Sequence, residues 1–114
     1  MMILTHKSRI LLVFLLTLFN SNQLIASGIC AELVTKFEES EQIPTGLLAS
    51  IANVESGFNI FALNHKGRSH YFNSHEEITT KINQLLVNHQ TNFDVGCMQI
   101  NYHFHHQNFT NASL

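Results

Sequence analysis

The sequence predicts an α+β domain, mostly α-helical, on three observations. Three stretches place apolar residues at helical spacing, and two of them carry residues typical of helix boundaries. One stretch between them instead gathers apolar and aromatic residues around a glycine-containing turn. No internal repeat, linker or low-complexity segment interrupts the 114 residues, so one small domain is expected.

Residues 1–27 read as a targeting segment and are set aside first. Lys7 and Arg9 give a basic start, Ile10 to Phe19 is apolar, and Ala26-Ser27-Gly28 offers small residues for cleavage. The apolar run is short for a membrane span and no second one follows; an uncleaved N-terminal anchor is the alternative. Ile29, rather than a small residue, precedes Cys30, which argues against a lipid anchor. The folded domain is then residues 28–114, exported to the periplasm or the cell exterior.

Within it, Ile29 to Ser40 predicts a first helix with Ile29, Cys30, Leu33 and Phe37 on one face. Pro44, the only proline, suits the start of a second helix over Thr45 to Ser56. Leu47, Leu48, Ile51 and Val54 form its expected buried stripe, and Gly57 is its stop. Asn59 to Phe72 predicts a hairpin turning at Asn64-His65-Lys66-Gly67. Ser74 and Glu77 make a capping box for a further helix, with Ile78, Ile82, Leu85 and Leu86 facing the core. Asn88 to Asn92 ends that helix. Asp94 to Asn101 follows as a compact segment with little period.

Loss of the first 27 residues leaves Lys36, Lys66, Arg68 and Lys81 against eight carboxylates. No basic stripe exists, so a nucleic-acid partner is not expected. Cys30 and Cys97 are the only cysteines. In an exported chain they read as one disulfide, two free thiols being the alternative. The histidines of His103-Phe104-His105-His106 have no cysteine or carboxylate beside them, so neither metal nor cofactor is expected. His103 and His105 would share one face of a strand.

Glu55 carries the chemistry. At about 100° per residue it projects between Leu48 and Ile51, inside the apolar stripe and in the last turn of the helix. Desolvation and the negative end of the helix dipole would both favour its protonated form, as a general acid requires. A Glu at a helix end whose head simply reaches solvent is the plainer alternative.

The segment Leu48 to Asn59, containing Glu55-Ser56-Gly57, resembles the catalytic helix of the bacterial soluble (SLT-type) lytic murein transglycosylases. Gly96-Cys97-Met98-Gln99-Ile100-Asn101 resembles that family's second motif, in the same order and at a similar separation. The resemblance runs over roughly residues 30 to 109. It implies a lysozyme-like fold and cleavage of the bond between N-acetylmuramic acid and N-acetylglucosamine in peptidoglycan, without water. Glu55 would be the acid and then the base. Ser56 would orient it or the sugar, Met98 and Gln99 would line the glycan cleft, and Asn101 would hold the backbone there. Asp94, the only aspartate, would be needed only by a two-carboxylate hydrolase. The family continues beyond its second motif with further helices and a late Tyr-Asn or Tyr-His pair. Nothing up to Leu114 corresponds, so the resemblance implies a domain incomplete at its C-terminus: a fragment, a truncated product or half of a split enzyme. A non-catalytic glycan-binding remnant is the alternative function, and some relatives serve a secretion apparatus.

Overall fold

The computed structural model describes residues 21–109. Residues 1–20, with most of the expected targeting segment, lie outside that range, as do residues 110–114. In chain order the elements are α1 (Ser21–Ser40), α2 (Leu47–Ser56), β1 (Ala62–His65), β2 (Arg68–Tyr71), α3 (His75–Val87), β3 (Phe93–Val95), β4 (Ile100–Asn101) and α4 (Tyr102–His105). A 3₁₀ turn over His106–Phe109 closes the described chain. The domain is α+β and mostly helical, as expected. None of the described helices is long and apolar enough to cross a membrane.

The strands form one antiparallel sheet in the order β2-β1-β3-β4. Lys66 and Gly67 turn the hairpin with φ of 53° and 73°, the left-handed pair of a type I′ turn, and His65 pairs Arg68 across it. β3 comes from beyond α3 to pair β1, Leu63 opposite Val95. It was not expected as a strand. Its alternation, Phe93 and Val95 buried with Asp94 between them, is only three residues long. β4 was missed for the same reason.

α3 caps as its sequence predicts. The Ser74 hydroxyl accepts from the Glu77 N–H at 3.2 Å, and Glu77 accepts from the Asn73 N–H at 2.9 Å. Ile78, Ile82 and Leu85 are buried with Leu63, Phe93 and Val95, and Leu86 packs against them. Tyr102 extends this core, stacked on Phe93 at 4.9 Å.

A second, smaller core joins the first two helices. Cys30, Val34 and Ala52 are its buried members, with Leu48, Ala49, Phe58 and Met98 against them. Here the structure corrects the expected faces. α1 starts earlier than Ile29 and takes in Ala26-Ser27-Gly28. It buries Ala26, Cys30, Val34 and Glu38, while Ile29, Leu33 and Phe37 are exposed. α2 buries Ala52 and Ser56, while Leu47, Ile51 and Val54 face outward. Each helix is turned by about one residue, 100°, from its most apolar face. Small side chains bring the two backbones close, and three ties between elements select this orientation.

One tie is Glu38. Its carboxylate accepts from the backbone N–H of Gly46 at 2.7 Å and of Ala49 at 3.1 Å. It thereby caps α2, whose own N-cap, Gly46, has no side chain to do so. The Gly46 N–H first, and then that of Ala49, hold the Glu38 carboxyl below its ordinary value of 4.5, against the opposing effect of burial. A depressed carboxyl stabilises the fold above its unfolded value, and the contribution is lost as pH falls through the folded one. The urea midpoint of Glu38→Gln should therefore lie below that of the parent at neutral pH. The gap should shrink steadily below pH 4.5. A gap that persists unchanged in acid would rule out the carboxylate as the cap.

Candidate active site

The end of α2 and the loop between β3 and β4 meet through Ser56, the second tie. Its hydroxyl donates to the Cys97 carbonyl at 2.7 Å, lies 3.2 Å from the Ala52 carbonyl, and accepts from the Asn59 N–H at 3.1 Å. The disulfide between Cys30 and Cys97, the third tie, fastens the same loop to α1. Residues 41 apart in sequence are thus joined at one point. Ser56 is buried, and its hydroxyl is committed to backbone. It joins the chain on either side of the α2 end to the β3–β4 loop.

Gly57 ends α2 in the left-handed conformation, φ 60°, its N–H reaching the Ala52 and Asn53 carbonyls. Phe58 follows at φ 64°, which for a residue with a Cβ costs about 1–2 kcal/mol. Packing of its ring in the smaller core offsets that cost. Together the two residues reverse the chain directly after Glu55.

Glu55 itself is exposed. This corrects the expectation that it lies within a desolvated stripe: Val54 is 82 % exposed and Ile51 39 %. Its position in the last turn of α2 is as expected. Anything that covers α2's outer face would remove Glu55 from water.

Gly96 and Gln99 turn the β3–β4 loop, with φ of 83° and 48°. The Gln99 side-chain amide donates to the carbonyls of Gly96 at 2.9 Å and Ala62 at 3.2 Å, tying the loop back to β1. Met98 packs with the residues of the smaller core. The Asn101 amide donates to Asp94 at 2.8 Å and Asn92 at 3.0 Å, and its carbonyl accepts from the Phe104 N–H as the cap of α4. Asn101 thus caps α4 and joins Asn92 and Asp94 at the end of the β3–β4 loop. His103 and His105 lie on α4, which corrects the expected strand. Among the described residues no group of three His, Cys, Asp or Glu side chains is arranged to hold a metal ion.

Removing the Ser56 hydroxyl leaves the Cys97 carbonyl and Asn59 N–H without their partner. Ser56→Ala should lower the unfolding free energy by about 1–3 kcal/mol in urea titrations. A change below about 0.5 kcal/mol would mean that water replaces the hydroxyl and the tie is weak. Ser56 stood out in the sequence; Glu38 did not, because only tertiary contact gives it a role. No protein-family model matches this chain, and searches of curated proteins and of solved structures also found no match.

Proposed function

We propose that the chain is a lytic transglycosylase of peptidoglycan, with a lysozyme-like fold, acting outside the cytoplasm with Glu55 as its single acid and base. The observation that carries this reading is the Ser56–Cys97 hydrogen bond, which brings the Glu-Ser-Gly helix end to the Gly-Cys-Met-Gln loop. The disulfide is in keeping with export.

In the proposed reaction the Glu55 carboxyl gives its proton to the glycosidic oxygen, and the bond from that oxygen to muramic C1 breaks. The N-acetylglucosamine product leaves with a free hydroxyl. The muramic 6-hydroxyl oxygen then bonds to C1, and its proton returns to Glu55. No water is consumed, and Glu55 ends as it began. A glycan strand laid over Leu47, Ile51 and Val54 would supply the desolvation that the free helix lacks.

The exposure of Glu55 favours a second reading, a module that holds glycan without cutting it. Mass spectrometry of muropeptides after incubating the full chain with purified peptidoglycan separates the two. Anhydro-muramic ends support the transglycosylase, and reducing ends would indicate hydrolysis instead. Sedimentation with peptidoglycan but no new ends would support the binding module.

A further inference from the structure

A cleft of about 470 Å³ opens on a part of the molecule that the proposed reaction does not use. The β1–β2 turn forms one wall with His65 and Lys66, the chain after α3 another with His89 and Thr91, and α4 a third with His103 and Phe104. The chain has eight carboxylates, yet none lines this cleft. Its wall therefore carries only basic and neutral groups. Arg68 lies opposite His65 in the hairpin register, and the Asp94 carboxylate on β3 accepts from Asn101.

The backbone adds an independent observation. Lys66 and His89 both have left-handed φ, 53° and 55°. His89 stands just past the cap of α3, Asn88, where its N–H reaches the Leu86 carbonyl. Glycine or asparagine is the low-cost residue at both kinds of position. The chain instead places an ammonium and an imidazole there, and both line one cleft. Thr91 Oγ1 lies 2.9 Å from His103 Nδ1, which fixes that ring and leaves Nε2 for a ligand. Burial, and then the charges of Lys66, Lys81 and His70, push the His65 imidazole below its ordinary range, so at neutral pH it serves as a neutral hydrogen-bond donor beside the Lys66 charge.

We propose that this cleft binds an anionic group, a carboxylate or a phosphate, through Lys66 and the imidazoles of His65, His89 and His103. Phe104, 76 % exposed, gives a platform for the apolar part of the ligand. The proposal does not rest on Glu55 or on the transglycosylase reading.

Phenyl phosphate, benzoate and neutral benzamide share one ring and differ in charge, so they serve as probes. Each is titrated into the full chain while the histidine imidazole signals are followed by NMR. Phenyl phosphate or benzoate should shift the signals of His65, His89 and His103, and benzamide should not. Lys66→Asn and His89→Asn keep a residue tolerant of left-handed φ, so the fold survives in both. Each should weaken anion binding about tenfold. The tighter of the two anions identifies the natural group as phosphate or carboxylate, and either preference supports the site. Equal shifts with benzamide, no shifts with either anion, or affinity unchanged in both variants would overturn the proposal.

Discussion

Replacing Cys30 and Cys97 together by alanine should destabilise the fold by about 4 kcal/mol, the entropy of closing a loop of this length in the unfolded chain. The two cysteines are 67 residues apart, so the bridge constrains most of the described domain. Against a typical total of about 5–15 kcal/mol, that loss is severe. In a domain this small it corresponds to a fall in Tm on the order of 20 °C. Cys30 is fully buried, so the native state also loses packing at the smaller core. Thermal unfolding of the parent with and without reductant, beside the double variant, reads the effect. Coincident curves would show that the bridge contributes nothing. Free thiols by mass spectrometry in exported protein would show that it does not form.

Glu55→Gln should leave stability within about 0.5 kcal/mol, because the side chain is exposed and makes no described contact with the core. Its effect on glycan cleavage should be far larger. Glutamine keeps the shape and some hydrogen bonding but can neither give nor take the proton. General acid–base catalysis contributes about 10²–10⁴-fold, and in the proposed reaction one group serves both halves. Formation of anhydro-muramic ends should fall by at least that factor while sedimentation with peptidoglycan persists. Asp94→Asn should retain cleavage, since the proposed reaction has no second carboxylate. If Glu55→Gln cuts as well as the parent, the catalytic assignment is wrong.

Local signals were legible in the sequence, and long-range ones were not. Ser74 with Glu77, Lys66-Gly67 and Gly57 act within a few residues of themselves, so each marked its helix end or turn correctly. The faces of α1 and α2 were misread for a physical reason. Both helices are apolar on more than one side, and the buried side is selected by Glu38, Ser56 and the disulfide, all of which act across the fold. Strands of three and two residues carry no usable period, so β3 and β4 emerge only through pairing with β1 and with each other. For the candidate site, the order and spacing of the two motifs carried only a resemblance; their meeting is seen in the Ser56–Cys97 hydrogen bond. The exposure of Glu55 followed from the same helix rotation and was hidden with it.

The division into two cores has a dynamic consequence. Among the described residues the helical pair is docked on fewer buried side chains than the sheet and α3, so its opening free energy should be the lower, as native-state hydrogen exchange would read. The Cys30–Cys97 bond does not prevent such opening, but it keeps α1 within reach of the loop at a high effective concentration. Redocking is then intramolecular and independent of dilution. On that expectation, the helix that carries Glu55 opens and redocks while the sheet stays closed.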